Sequence, residues 1–510
     1  MITCRRFSQF SSTKLGNYKH PFEVLNRLAK NIASIDDEKF ADHLQEASER
    51  KSIVPLNAVL ASWENEYLKS PNEALHPREV LDKIDEWKDL VDSVAASNSL
   101  QCHLQQHLEG LLRPDVKSYT LIIQAVCNSI DEHSRHKRKE NQNKLHFVDS
   151  LLERLIKESR TDLSIRPNIS SFSAVMNAWA KSGTRNNNMN SKKVEDLLRY
   201  MEKLSDEDCP NLQPNIVIYN TLLNAWAKDG EVTKIEDTLQ RMIRLEIPSV
   251  SADTISYTTL LSAYARLRTP EAALKADSLL QQMLELYHHG MESAKPNVIA
   301  FSTVMQCHAQ LGDGERAEYW LQQLQELYHR NKDPDFLPDL AVYNTVLHAW
   351  VKSGQPEKAE DFLRHVMIND ENENDNGNDI VLSTLPNSRT FNMIISAWAK
   401  AGEPDRAEAT LMEMQRLYVE DDYDTCPCVI SYNTVLDSYA QKMEKILNYD
   451  NKNARMKKDQ RKNNKQLDIP DHAEDAPWNR AEAILDHMID LYRRGNTSVK
   501  PNARTWNTGK

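Results

Sequence analysis

One pattern recurs along this chain and limits what it can fold into: Pro, usually Asn or Asp, three residues, an aromatic, a small polar residue, two aliphatics, and a small residue before Trp or Tyr. The copies read RPDVKSYTLIIQAV at 113, RPNISSFSAVMNAWAKSG at 166, QPNIVIYNTLLNAWAKDG at 213, SADTISYTTLLSAYAR at 251 and KPNVIAFSTVMQCHAQLG at 295. They continue as LPDLAVYNTVLHAWVKSG at 337, LPNSRTFNMIISAWAKAG at 385, CPCVISYNTVLDSYAQ at 426 and a short KPNARTWNTGK at the end. A weaker echo, LNAVLASW, follows Ile53. A chain built from one unit copied many times buries its core between neighbouring copies, so the usual prior of roughly one domain per 100 to 200 residues does not apply.

Each copy carries helix punctuation. The Asn or Asp after Pro is a helix-start residue whose short side chain caps orphan backbone N–H groups. Tyr219, Leu222, Leu223 and Trp226 then recur at three- and four-residue steps and share one apolar stripe, with Ala225 permitting close helix approach. Gly183, Gly230, Gly354 and Gly402 stand where a left-handed cap would close this first helix. A second helix follows, marked by Ala276, Leu280 and Met283, by Ala407, Leu411 and Met414, and by Ala481, Leu485 and Met488, with Tyr287, Tyr418 and Tyr492 four residues on. One antiparallel pair cannot bury both stripes, so neighbours must stack. The expected fold is all-α, a right-handed superhelical solenoid of antiparallel helix-turn-helix repeats. Only 12 Gly and 20 Pro agree with it, since a sheet-rich fold needs more turns.

The anchors Tyr119, Phe172, Tyr219, Tyr257, Phe301, Tyr343, Phe391, Tyr432 and Trp506 are unevenly spaced. Polar inserts near 133–144, 185–193, 369–379 and 448–469 account for the excess and are expected to be disordered loops at helix ends.

A net charge of −12 argues against a protein that coats nucleic acid nonspecifically, although a local basic groove is compatible with it. The cysteines, Cys4, Cys102, Cys127, Cys209, Cys307, Cys426 and Cys428, show no CxxC spacing and are expected to be reduced thiols. No stretch reaches the roughly 20 apolar residues of a membrane span, so no membrane partner is expected. Residues 1–22 hold Arg5, Arg6, Lys14 and Lys19 with no acid before Glu23 and read as an organellar transit peptide, with mitochondrial import preferred to plastid or cytoplasm. An N-terminus without an address fits the same residues.

The wording P-[DN]-x-x-x-[YF]-[NST], then AWAK-x-G and a second helix such as GERAEYWLQQL or EPDRAEATLMEM, resembles the pentatricopeptide repeat. The resemblance covers about residues 113–510, as eight fairly complete units and a truncated one; residues 23–112 match poorly and read as a divergent helical region with a degenerate repeat from about 53. Most units exceed the family's nominal length, Ala252 replaces Pro in one, and Cys428 replaces Asn or Asp in another.

What the resemblance implies is single-stranded RNA binding, one base per repeat. The residue after each aromatic is the first reader: Thr120, Ser173, Asn220, Thr258, Ser302, Asn344, Asn392 and Asn433. The last residue of the repeat is the second: Asn168, Asn215, Asp253, Asn297, Asp339, Asn387, the unreadable Cys428, and Asn502. By the family's preferences these pairs spell A-A-U-A-G-pyrimidine-unknown-pyrimidine from the N-terminal repeat.

The residues lend partial independent support. Ser, Thr and Asn are indifferent helix formers, so their monopoly at the first reading position asks for a reason. An amide donates and accepts, a hydroxyl does both compactly, and a carboxylate only accepts, which lets such pairs distinguish base edges. Three residues earlier lie Val217, Ile255, Ile299, Ala341, Arg389 and Ile430, against which flat bases can pack. Lys181, Lys228, Arg266, Lys352 and Lys400 end the first helices, where phosphates or the helix C-terminus itself would hold them. Plain helix capping is an equally good account of the Asn and Asp series, and first-turn hydrogen bonding competes for the Ser, Thr and Asn series.

Other constellations are thin. His103 and His107 beside Cys102, or Cys426 with Cys428, lack a complete metal-ligand set. Gly312 and Gly314 imitate a phosphate loop without its Lys-Ser/Thr pair. No cofactor and no catalytic residue is expected. The preferred function is a monomeric, sequence-selective RNA-binding protein acting without catalysis in organellar RNA processing, stability or translation, with protein partners in RNA processing. A tetratricopeptide-like protein scaffold and the repeat region of an organellar nuclease whose catalytic domain lies beyond Lys510 are the alternatives; the ending inside a repeat raises the question of completeness.

Overall fold

The computed structural model describes residues 56–69, 76–85, 115–130, 138–159, 166–182, 189–207, 212–245, 247–364, 386–420, 425–460 and 477–508. Among these there is helix and no strand. The chain forms two compact units, residues 1–252 and 253–510.

In the first unit α1 (Leu56–Lys69) and α2 (77–85) precede α3 (Val116–Asn128), α4 (Arg138–Glu158), α5 (Ile169–Ser182), α6 (Met189–Glu207), α7 (Ile216–Asp229) and α8 (Val232–Leu245). The first helices α3, α5 and α7 pack on one another in succession, and each second helix lies against its own partner; α4 and α6 also touch the next first helix. Helix α1, the LNAVLASW segment, packs on α3 as a preceding layer through buried Leu60, Trp63 and Tyr67.

The second unit repeats this plan. Its first helices are α9 (Thr254–Leu267), α11 (Val298–Leu311), α13 (Leu340–Lys352), α15 (Ser388–Ala401) and α17 (Val429–Gln460). Its second helices are α10 (Pro270–His288), α12 (Gly314–Asn331), α14 (Pro356–Phe362), α16 (Pro404–Glu420) and α18 (Pro477–Arg493), and α19 (Ala503–Thr508) opens a further layer on α17. Each unit is therefore an all-α stack of antiparallel helix pairs.

The expected core is where the periodicity put it. Tyr119, Phe172, Tyr219, Tyr257, Phe301, Tyr343, Phe391 and Tyr432 are all buried, as are Ala276, Leu280 and Met283 on α10 and Ala407, Leu411 and Met414 on α16. Trp506 is half exposed instead, standing on a helix of six residues with no second helix described after it. Gly230 and Gly402 cap α7 and α15 with φ of 84° and 82°, and Gly312 does the same for α11 at 78°. Gly354 is also left-handed but follows a cap at Ser353, and Gly183 lies outside the described residues. Gly314 sits in the first turn of α12 against the Trp350 ring, where an added Cβ would fall 2.2 Å from a ring carbon, so its role is close packing.

Three expected loops are helical in part. Helix α4 begins at Arg138, α6 at Met189, and α17 runs on to Gln460. These stretches contain no Gly or Pro, and a Glu140–Lys144 pair at 3.0 Å spans the start of α4, so polar residues here extend the solvent face of a helix anchored downstream. The insert at 369–379 and the remainder of the others lie outside the described residues, as do 1–22, Cys102, His103 and His107.

Aromatic side chains also pin one repeat to the next. Trp179 donates from Nε1 to Asp149 of the preceding second helix at 3.0 Å, Trp350 to Glu318 at 3.1 Å and Trp398 to Glu360 at 3.1 Å. Tyr439 donates to Glu408 at 2.6 Å, and His308 meets Asp277 at 2.8 Å. The buried rings also take a cation from their own second helix, Lys358 over Trp350 and Arg406 over Trp398, each at 4.5 Å. The recurring Trp and the acid of the R-A-E segment are thus the two halves of an inter-repeat joint.

Candidate nucleic-acid interface

The second reading set consists of helix N-caps. Oδ1 of Asn168 accepts from Ser171 N at 2.8 Å, Asn215 from Ile218 N at 3.2 Å, Asp253 from Ser256 N at 2.9 Å, Asn297 from Ala300 N at 3.0 Å and Asp339 from Val342 N at 2.9 Å. Asn387 and Asn502 each accept two such bonds. Capping and presentation are compatible, because the cap consumes one oxygen and thereby decides what remains. An Asn turns its NH2 donor away from the helix, and an Asp its second carboxylate oxygen. Cys428 takes the same place before α17 but supplies only sulfur; Nδ2 of Asn392 lies 3.8 Å from its Sγ, and the Asn392 carbonyl oxygen is buried with no partner.

The first reading set lies one turn into the first helices, just past the caps. Ser173 and Asn220 in the first unit, and Thr258, Ser302, Asn344 and Asn392 in the second, are half exposed. Thr120 and Asn433 are buried. The Thr120 hydroxyl bonds to Val116 O at 2.7 Å and lies 2.8 Å from the Ser171 hydroxyl, so it is engaged within the protein.

The set three residues earlier is exposed throughout. Val217 in the first unit is 54% exposed; in the second, Ile255, Ile299 and Ile430 are 60%, 65% and 67% exposed, and Ala341 and Arg389 share the position. Because first helices pack directly on one another, the second unit's residues form a row beside the readers. Isolated exposed aliphatics are ordinary; the same exposed position recurring in successive layers is a built surface.

Of the cations, Lys181 and Lys228 are half exposed and Arg266, Lys352 and Lys400 are exposed. Lys352 donates to the Gln310 carbonyl in the last turn of α11, so it also serves as a C-terminal cap for the preceding repeat. His348, exposed one turn beyond Asn344, is held below the ordinary histidine value by partial burial and then by Lys352, Lys400 and Arg389. It marks a local positive field on a chain of negative total charge. Asn177, Asn224 and Gln306 occupy the same place as His348 in other layers and are exposed too; the sequence signal for them was their spacing of four from the readers.

The thiols of Cys127 and Cys307 are pushed up to about 12, by burial first. Among the described residues no three His, Cys, Asp or Glu side chains gather into a metal site, and no helix is long and apolar enough to cross a membrane.

Stacked helical hairpins with a row of small polar side chains beside an exposed aliphatic row define an α-solenoid repeat protein. The PPR repeat family matches residues 214–266, and the PPR repeat matches 255–287, 299–328, 341–367 and 389–419. Over these residues the chain carries pentatricopeptide repeats.

Among curated proteins it is similar to a pentatricopeptide repeat-containing protein of Arabidopsis thaliana, 26% identical over 147 residues, which are 29% of this chain and 23% of that one. Among solved structures it is similar to the pentatricopeptide repeat protein PPR10 from maize, at a TM-score of 0.41 and 16% identity over 95% of this chain and 65% of that one. PPR10 in complex with an 18-nt psaJ RNA element gives a TM-score of 0.31 at 14% identity over 100% of this chain and 75% of that one. The matched stretch is thus under a quarter of the curated relative's length.

Proposed function

We propose that this protein binds single-stranded RNA with sequence selectivity, one nucleotide per repeat, and acts by occupying its transcript without catalysis. The observation that carries this reading is the exposed row Ile255, Ile299, Ala341, Arg389 and Ile430 beside the half-exposed Thr258, Ser302, Asn344 and Asn392. An apolar ledge with a hydrogen-bonding group at its edge suits a flat heterocycle, while the solvated phosphates meet Arg266, Lys352 and Lys400. The PPR10 structure named as an RNA complex is in keeping with it. An organellar setting, with mitochondrial import directed by residues 1–22 and protein partners in RNA processing, is the cellular context we infer.

The test is crosslinking of the full chain to cellular RNA with sequencing of bound fragments, alongside Asn220→Ala and Lys228→Ala. The reading expects lost preference at one nucleotide for the first and evenly weakened binding for the second. Enrichment of proteins without RNA would replace it with the scaffold function.

A further inference from the structure

In two layers the reading pair is tied together by a third residue. Thr390, buried in the first turn of α15, accepts from the Asn387 backbone N–H at 3.2 Å, which leaves its hydroxyl proton to find an acceptor. That proton faces Oδ1 of Asn344, in the preceding repeat, at 2.9 Å, and Oδ1 of Asn387 at 3.2 Å. The latter oxygen already accepts from the N–H groups of Arg389 and Thr390. The hydroxyl therefore belongs chiefly to Asn344, and both amides turn their carbonyl oxygens inward.

The arrangement recurs in the last layer. Thr505, also buried, accepts from Asn502 N at 3.1 Å and donates to Oδ1 of Asn433 at 2.7 Å, but there Asn433 is itself buried and its NH2 group donates to Oδ1 of Asn502 at 3.3 Å. Where the corresponding residue is apolar, as at Ile218, Ala300 and Val342, the readers are the hydroxyls Ser173, Thr258 and Ser302, each both donor and acceptor at one atom. Thr258 turns to its own backbone at Ile255 O, 3.1 Å away. The third position is not uniform: the hydroxyl reader Thr120 faces the Ser171 hydroxyl at 2.8 Å, and Ser256 and Ser431 hold this place in the layers of Asn220 and Asn392.

We propose that this third residue, Thr390 for the half-exposed Asn344–Asn387 pair, is a specificity-determining positioning residue: its hydroxyl fixes which end of the reading amide faces the base. The inference rests on the RNA-reading function above. With Thr390 in place, Asn344 and Asn387 present two NH2 groups side by side. Two adjacent donors match the adjacent N3 and O2 acceptors of cytosine, whereas uracil offers a donor at N3 between its two acceptors. Removing the hydroxyl frees the Asn344 amide to turn its carbonyl outward, and the layer then accepts either pyrimidine.

The experiment selects RNA from a randomised pool with the full chain and compares the wild type with Thr390→Val, the isosteric change, and Thr390→Ser, which keeps the hydroxyl. The wild type and Thr390→Ser are expected to favour cytosine over uracil at one nucleotide by about fivefold or more, and Thr390→Val by less than about twofold, with neighbouring nucleotides unchanged. A purely structural role would weaken binding to all sequences alike. Should Thr390→Val not fold, Ala300→Ser, which adds the hydroxyl beside Thr258, is expected to sharpen that layer's preference. A wild type with no base preference at any layer overturns RNA reading itself. A wild-type cytosine preference that survives loss of the hydroxyl overturns this inference alone.

Discussion

Asp277 is the most demanding single position in the second unit. Its Oδ1 accepts from His308 Nε2 at 2.8 Å and Trp320 Nε1 at 2.7 Å, and its Oδ2 accepts from Arg316 Nε at 2.8 Å. Burial pushes its pKa up, but the hydrogen bonds from His308, Arg316 and Trp320 outweigh that and hold the carboxyl below the usual range. Asp277→Ala leaves two ring N–H groups buried without an acceptor, at about 1 to 3 kcal/mol each. Arg316, nearly half exposed, returns to water at little cost. The expected loss is about 3 to 5 kcal/mol, the range for breaking a buried pair from one side. Asp277→Asn keeps one oxygen for the two rings and should lose about 1 kcal/mol. Because stacked repeats open locally, the assay is hydrogen exchange resolved by segment: Asp277→Ala should speed exchange across α10, α11 and α12 by about a hundredfold. Arg494→Ala, which removes an exposed pair with Asp490, should change nothing beyond about twofold. A similarly small effect for Asp277→Ala would refute the view that these carboxylates join the layers.

Four further outcomes follow from the same geometry. Ile299→Asp should weaken RNA binding by about fivefold or more while leaving the melting temperature unchanged, since the side chain is 65% exposed and an acid in a first helical turn is favourable; a drop in melting temperature would mean that the side chain is core. Gly314→Ala should destabilise by about 3 kcal/mol or more because its Cβ would overlap the Trp350 ring, whereas Gly230→Ala meets open space and costs about 1 kcal/mol in backbone strain; equal losses in chemical denaturation would remove the packing argument. His348 should titrate below the ordinary value of about 6.5, so its contribution to stability is present above that pH and lost as the pH falls through it towards the lowered value. Phosphates should raise its midpoint in an NMR titration, and a midpoint unmoved by saturating single-stranded RNA would place the backbone elsewhere. Alkylation of the folded protein at pH 8 should spare Cys127 and Cys307, whose thiols stay protonated there, and rapid labelling of either would contradict their burial.

How far the sequence reached depended on whether a signal was local. The Asn and Asp caps, the buried aromatic anchors and the left-handed Gly230 and Gly402 are decided within a few residues, and they stand as read. Polar composition misjudged the starts of α4 and α6 and the length of α17, because Lys, Glu and Asn without Gly or Pro sustain a helix whose apolar face is anchored further along. The joints between repeats were not legible. Trp398 and Glu360 lie far apart in sequence with the 369–379 insert between them, so nothing local pairs them. The bond from Thr390 to Asn344 was hidden for the same reason, since it depends on the phase in which one helix stacks on the next. The second reading set was read as helix caps or base readers; the structure shows its Asn and Asp members capping their helices, and recognition stays with the proposed function.

The central claim is that bases lie on the aliphatic row of the first helices. Ultraviolet crosslinking of the full chain to single-stranded RNA, followed by mass spectrometry of the joined peptides, tests it most directly. Nucleotides should appear on peptides carrying Val217, Ile255, Ile299, Ala341 and Ile430; attachment confined to the exposed second-helix residues Leu274, Met412 and Val419 would contradict it.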